Sequence, residues 1–523
     1  MKEIVIIGAG PAGLTAGIRL LQEGGKEYSV TVLEASSSVG GISRTVRHNG
    51  NRMDIGGHRF FSKDAEVNAF WEELMPLQGA PSLDDRILDR KVALAPGGPD
   101  PEKADRVMLT RTRVSRIYYR RKFFDYPVKM NGKTLRNMGF FTAFSAGMSY
   151  LHSLFRTLPE DSLENFYINR FGRKLYSMFF ERYTEKLWGR HPREISADWG
   201  AQRVKGLSIL AVLKDIFGKM LPGTRKKVET SLIEEFRYPK YGPGQLWETA
   251  EEEFERLGGR ILFDCRAERF VCENGRIETL FAVNGKGEQC EFHPQIVISS
   301  MPVKDLVSGM TPVPEEILAA AKGLPYRDFV TVGLLLEKLA LENTTKFRTL
   351  GNIVPDCWIY VQEPDVKLGR IQIFNNWSPY MVKKPAETVW IGLEYFCSRG
   401  DEFWNMPETK WKEFAFAELT KMGVVSPGEK VPDFHVEKVE KAYPAYFDTY
   451  EKMDEIIGFL DSVSNLYCVG RNGQHRYNNM DHSMMTAFAA VRHILSGGNG
   501  DKAAIWNVNT EKEYHEEKNG SSR

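Results

Sequence analysis

The 523-residue chain lacks several features, and each absence excludes something. Its six cysteines (Cys265, Cys272, Cys290, Cys357, Cys397 and Cys468) never fall at C-x-x-C spacing. That argues against a disulfide framework and a zinc site, and for a reduced, cytoplasmic setting. Net charge is nearly absent too. Lys+Arg number 70 against 69 Asp+Glu, so no global field draws the chain to nucleic acid or to an anionic membrane. No apolar run reaches the roughly 18–20 residues of a spanning helix. The most apolar helical stretch, near Leu207–Leu221, carries Lys214, Asp215 and Lys219. The first residues read as a strand rather than a signal peptide, and there is no internal repeat. What remains is ordinary globular composition, long enough for two or three packed units.

The informative start is local. Residues 3–7 (Glu-Ile-Val-Ile-Ile) read as a buried parallel strand, and Gly8-Ala9-Gly10-Pro11-Ala12-Gly13 follows at once. Leu14 to Leu21 shows helical spacing and stops at Gly24-Gly25. Ser29–Leu33 predicts a second strand, closed by Glu34, 21 residues after Gly13. A lone GxGxxG says little, but strand–turn–helix–strand context makes it a dinucleotide site. Gly8 permits the tight turn, Gly10 lets backbone approach a pyrophosphate, and Gly13 lets helix pack on strand. The helix start at Pro11 and Ala12 turns its N–H groups toward phosphate. Glu34, with Ala35 beside it, is placed for the ribose hydroxyls. A second pair, Gly40-Gly41, resembles the FAD version of the motif. Gly56-Gly57-His58 adds a third glycine turn, where such a domain brings backbone to the flavin. No second GxGxxG follows, which argues against a separate NAD(P)H domain.

The fold class expected is α/β: a discontinuous Rossmann-like FAD-binding domain with a parallel sheet, a helical domain, and an antiparallel β-sheet substrate domain. The FAD-binding parts are placed at 1–85, 223–304 and 439–500. The substrate sheet is placed at 86–133 and 305–438, the helical domain at 134–222, and a polar tail at 501–523. Arg276–Val283, Ile296–Met301 and Leu466–Arg471 read as strands completing the cofactor domain, with a helix from about Ser483 to Leu495 over the flavin. Tyr167–Trp188 carries a core stripe at helical spacing (Phe171, Leu175, Met178, Phe179, Tyr183, Leu187). Val107–Val128 and Asp328–Phe396 alternate apolar and polar, as a sheet over the flavin does. The basic run Arg116–Lys122 reads as an exposed strand face.

Further motifs follow in order: Gly56-Gly57-His58-Arg59-Phe60-Phe61-Ser62, Arg113 then Tyr126-Pro127, Trp188 then Arg203, and Phe236-Arg237-Tyr238-Pro239 with Gly242–Trp247. Next come Cys357-Trp358-Ile359-Tyr360, Arg370, Phe374–Pro379, Ala442-Tyr443-Pro444, Gly470-Arg471-Asn472-Gly473, Arg476-Tyr477 and Asp481-His482-Ser483. In this series the chain resembles the UDP-galactopyranose mutases of the eukaryotic-type branch, to about residue 497. They lie within the wider amine oxidase and protoporphyrinogen oxidase-like FAD superfamily.

The resemblance implies a redox-neutral pyranose/furanose ring contraction of a nucleotide-diphosphate sugar, serving cell-surface glycan biosynthesis. Reduced-flavin N5 attacks the anomeric carbon. It implies that Arg203 and Arg370 clamp the diphosphate as planar bidentate donors. Arg113, Tyr126, Trp188, Tyr360, Tyr443 and Tyr477 line the substrate pocket. His58 and Arg471 face the flavin, and Gly470, Asp481, His482 and Ser483 help hold it. NADPH is the reductant the branch suggests. A homo-oligomer is compatible with this plan. Val128 and Lys129 stand where the family has Phe and Gln, Thr184 where it has Asn, and Met480 where it has a polar residue; Arg59 adds a charge beside His58. These departures leave base and sugar open. The alternative is an FAD-dependent oxidoreductase of the amine oxidase or protoporphyrinogen oxidase type, which shares the plan and needs no diphosphate clamp.

Overall fold

The computed structural model describes residues 1–126, 128, 132–197 and 235–508. Lys2–Ile7 is the centre of a five-stranded parallel sheet in the order Leu466–Cys468, Ile296–Ser299, Lys2–Ile7, Tyr28–Leu33, Arg260–Leu262. Ile4, Val5 and Ile6 are wholly buried, as expected of a parallel strand covered on both faces. On one face lie the helices Pro11–Gly24, Pro243–Arg256 and Met480–Leu495. A Cβ on Gly17 would stand 2.6 Å from the Phe254 ring, so glycine sets how closely the first two of these helices pack. On the other face a four-stranded sheet packs through Phe270, Ile277 and Leu280 against Val5, Ile7 and Val297. Arg276–Val283 belongs to this second sheet, pairing antiparallel with Arg266–Glu273. Ile296–Ser299 pairs directly with Lys2–Ile7.

A seven-stranded sheet runs Asp433–Pro444, Tyr326–Leu336, Val389–Cys397, Arg370–Ile373, Trp358–Val361, Ser115–Tyr119, Lys122–Asp125. Its pairings are antiparallel except the parallel one between Trp358–Val361 and Ser115–Tyr119, so the sheet is mixed. One face buries the helix Glu408–Met422 through Trp411, Ala415 and Leu419. The other meets the helical layer Gly132–Met138, Phe140–Phe155, Leu163–Phe179 and Glu181–Trp188. Residues 439–444, which the sequence places in the last cofactor-binding part, lie in this sheet.

Three expectations are refined. The stripe over Tyr167–Trp188 is divided between two helices at Phe180, and the first is kinked at Gly172 (φ 75°, ψ 152°). A Cβ there would lie 2.7 Å from the Tyr150 backbone N, so the kink lets two helices touch. Within Val107–Val128, Met108–Thr112 leaves the large sheet and pairs with Glu235–Pro239. Buried Arg111 draws it toward Asp84, at 2.7 Å. The run Arg116–Lys122 is not an exposed face. It is a hairpin with left-handed Arg120 and Arg121 at its turn. Arg116 is buried and grips Asp356 (Nε–Oδ1 2.9 Å), because a buried guanidinium requires a carboxylate partner.

Candidate active site

The nucleotide end is made of backbone. Gly8 has φ 97° and donates its N–H to the Leu33 carbonyl at 2.8 Å, closing the turn out of the first strand. A Cβ on Gly13 would fall 1.9 Å from the Gly8 carbonyl oxygen, so only glycine lets the helix start there. Gly10 and Gly41 face each other, and a Cβ on either would lie within 3.9 Å of the other's Cα. Gly40 donates to the Ala9 carbonyl at 2.9 Å and locks the second glycine pair beside the first. Pro11 occupies the first helical position and Gly10 brings no capping side chain, leaving the first-turn N–H groups to a ligand. Buried Glu34 accepts from Ala9 N–H (2.7 Å), Ser36 N–H (2.9 Å) and Ser36 Oγ–H (2.7 Å). Three fixed donors orient the carboxylate and leave lone pairs able to accept from a further donor. Ala35 beside it is exposed.

The second glycine turn is anchored from below. Asp54 is fully buried between the Tyr238 hydroxyl and Thr45 Oγ1, and burial pushes its carboxyl up to about 7. A Cβ on Gly57 would meet Trp377 at 3.7 Å and Trp358 at 3.8 Å, and a Cβ on Gly56 would stand 3.1 Å from His58 Nε2. That Nε2 is shielded from water and has no hydrogen-bond partner among the described residues. Burial and then the Arg471 charge hold the imidazole down at about 4, so it is neutral at physiological pH. Arg471 is fixed by two carbonyls: Asn478 from Nε (3.1 Å) and Nη2 (2.6 Å), Ala442 from Nη1 (3.1 Å). Among the described residues no carboxylate pairs with it. Gly470 (φ 77°) donates to Thr486 Oγ1 at 2.8 Å, and a Cβ on it would lie 3.0 Å from Ala12. This brings Asp481, His482 and Ser483, in the first turn of Met480–Leu495, to the glycine loop. Ser483 Oγ donates to Asn478 Oδ1 at 3.0 Å.

A circuit of rings and cations leads away from this turn. Arg59 and Arg113 stand over Trp358 at 5.8 and 5.9 Å, and Trp358 meets Tyr360 edge-on at 6.2 Å. Tyr360 lies against Tyr126 at 4.3 Å and Tyr183 at 5.9 Å. Half-buried Arg370 donates Nε–H to Tyr183 Oη (2.9 Å) and Nη1–H to Tyr443 Oη (3.2 Å) and Glu394 (3.0 Å). Its Nη2 donates to no protein acceptor among the described residues. Tyr443 stacks on Tyr477 at 5.9 Å and 6°, and Arg471 lies over Tyr477 at 4.8 Å, which closes the circuit near His58. Burial raises the Glu394 carboxyl, while Arg370 pulls it down. Burial likewise keeps the Tyr443 phenol protonated, able to donate.

The family model "Flavin containing amine oxidoreductase" matches residues 11–495.

The chain belongs to that family.

Two solved structures share the fold of this flavoenzyme. One is reduced UDP-galactopyranose mutase (TM-score 0.76, 20% identity, 98% of this chain and 97% of that one). The other, from an Exiguobacterium species, is assigned as a protoporphyrinogen oxidase (TM-score 0.66, 14% identity, 95% and 99%). Curated relatives match over short stretches. They include Lysine-specific histone demethylase 1 homolog 3 of Arabidopsis thaliana (37% identity, 17% of this chain and 6% of that protein). Coproporphyrinogen III oxidase of Mycobacterium tuberculosis matches at 35% identity over 14% of this chain and 16% of that protein. The flavoenzyme thus spans a small fraction of these relatives' length.

The cofactor is FAD. The glycine cradle that a Cβ would fill and the unpartnered His58 Nε2 beside Gly56 fit its two ends. Of the residues singled out in the sequence, Arg113, Tyr126, Tyr360, Arg370, Tyr443, Tyr477, Arg471 and His58 join one circuit. Trp188 is buried, edge-on to Phe447 at 6.3 Å. Arg203 and Lys129 lie outside the described residues. Val128 is half-buried and packs on the helical core. Four contributors escaped the sequence reading: Tyr183 and Glu394 at Arg370, Ser36 at Glu34, and Asn478 at Arg471. Glu394 had a signal, being the lone carboxylate in a nine-residue strand that is buried throughout. Among the described residues no helix is long and apolar enough to cross a membrane, and no cluster could hold a metal.

Proposed function

We propose that this flavoenzyme is a nucleotide-sugar pyranose/furanose mutase. The observation that carries the reading is Arg370. Nε and Nη1 are held by Tyr183, Tyr443 and Glu394, leaving Nη2 as a planar, pre-oriented donor pair. A rigid cation ringed by tyrosine hydroxyls suits a diphosphate, through charge-assisted bonds. Amines have no anionic group that needs it, and a porphyrinogen offers propionates but no diphosphate. Tyr443, Tyr360 and Tyr477 donate to the departing phosphate and keep it close for recapture. Arg203 is the second guanidinium of this reading. FAD, when bound and reduced, supplies a nucleophilic nitrogen to the anomeric carbon, and NADPH is the proposed reductant. Arg471, with neutral His58 beside it, stabilises negative charge on the reduced ring. The six unpaired cysteines suit a reducing, cytoplasmic compartment.

The deciding experiment incubates dithionite-reduced protein anaerobically with UDP-, dTDP- and GDP-sugars and separates pyranose from furanose forms. Interconversion of at least one sugar, without oxygen consumption, is expected. No interconversion across the panel, with peroxide formed from an amine or a porphyrinogen in air, replaces this reading with the oxidoreductase one.

A further inference from the structure

One element is built inside out. The helix Phe140–Phe155 buries only Ala146, Tyr150 and Ser153, the stripe that meets Leu163–Phe179 at its Gly172 kink. At about 100° per residue, Phe140, Phe144, Met148, Leu151 and Phe155 fall on the opposite side of the helix. They are all exposed: Phe140 by 78%, Phe144 by 62% and Phe155 by 90%, with Phe141 at 86% beside them. Isolated exposed apolar residues are unremarkable, but a contiguous aromatic stripe on a helix marks a binding surface.

Charge identifies what it binds. The helix contains no Asp, Glu, Lys or Arg. From Tyr126 to Pro159 the sequence has no acidic residue at all and four basic ones, Lys129, Lys133, Arg136 and Arg156, in a chain where acids and bases are otherwise balanced. Lys133, Arg136 and Arg156 are exposed at the two ends of the apolar helix. The next acids, Glu160 and exposed Asp161, lie beyond Pro159, and Glu160 pairs with Arg170 at 2.5 Å. An uncharged aromatic face framed by cations and cleared of carboxylates complements a bilayer surface with anionic headgroups. A second protein copy would not select against carboxylates in this way.

We propose that Phe140–Phe155 lies in the plane of an anionic lipid surface, with its phenylalanines below the headgroups and Lys133, Arg136 and Arg156 among the phosphates. Its 16 residues span about 24 Å, too short to cross a bilayer. The contact is peripheral and leaves the flavin site, built from other elements, intact.

The test is co-sedimentation of the full-length, FAD-loaded protein with phosphatidylcholine vesicles, with and without phosphatidylglycerol. Binding to the phosphatidylglycerol vesicles is expected to be about tenfold tighter or more, and to weaken with salt. The variant Phe140→Ser/Phe144→Ser/Phe155→Ser, whose flavin content and melting temperature stay at wild type because the three rings touch solvent, should remain in the supernatant. Lys133→Glu/Arg136→Glu should lose the preference for phosphatidylglycerol. Failure to bind either vesicle, or wild-type binding by the triple variant, overturns the proposal. So does a concentration-dependent dimer that the triple variant abolishes while no vesicle binds, since that gives the face to a second copy.

Discussion

The two ends of the candidate active site are built by different means. The nucleotide end uses backbone: glycines that let chain approach chain, a helix N-terminus, and one carboxylate fixed by three donors within 25 residues of it in sequence. The substrate end uses side chains brought from seven separate stretches of chain between Tyr126 and Tyr477, and its central cation depends on a carboxylate 24 residues away on the next strand. Backbone recognition tolerates no added atom but needs few partners. Side-chain recognition tolerates small changes but depends on every neighbour.

The sharpest way to break the first end is Gly13→Val. Its Cβ would meet the Gly8 carbonyl at 1.9 Å, with no flexible atom to yield. The protein is expected to purify without flavin, read from the visible absorbance of the isolated chain. Retained yellow colour would show that the turn can open. At the substrate end, Arg370→Ala strands a buried Glu394. Losing one partner of such a pair typically costs about 3–5 kcal/mol. The melting temperature should fall and nucleotide-sugar binding disappear while FAD stays bound, and Arg370→Lys should recover stability but not affinity. Tyr183→Phe removes one bond to the guanidinium, worth about 1.5–3 kcal/mol. A titration should show weaker binding with FAD content unchanged; equal affinity would remove Tyr183 from the site.

The smallest effect is a pair of opposite pH slopes in the flavin-free protein. His58 is held at about 4 in the fold against an ordinary value of 6.5. Its contribution is therefore present above pH 6.5 and is lost as pH falls through 4. Asp54 is raised to about 7 from 3.8, so its contribution is present below 3.8 and is lost as pH rises through 7. Melting temperatures measured across this range should show that His58→Gln flattens the acid side and Asp54→Asn the neutral side. Unchanged profiles would mean that neither burial persists in solution.

The strand–turn–helix at the start of the chain was legible in the sequence because its determinants are consecutive: Gly8 to Gly13 and Glu34 act through local chain geometry, specified by neighbours in the chain. The sequence also named most rings of the substrate circuit, through the family resemblance. Tyr183 looked like one more residue of a helical core stripe, and only the packing of that helix on the sheet turns its hydroxyl to Arg370. Arg116 looked solvated until the fold set Asp356 against it. By itself, then, the chain determined where one backbone segment can approach another, since that approach is governed by which residues lack a Cβ. Tertiary structure alone decided which charges face each other, because the partner of a buried charge is chosen by strand register and helix docking rather than by proximity in sequence.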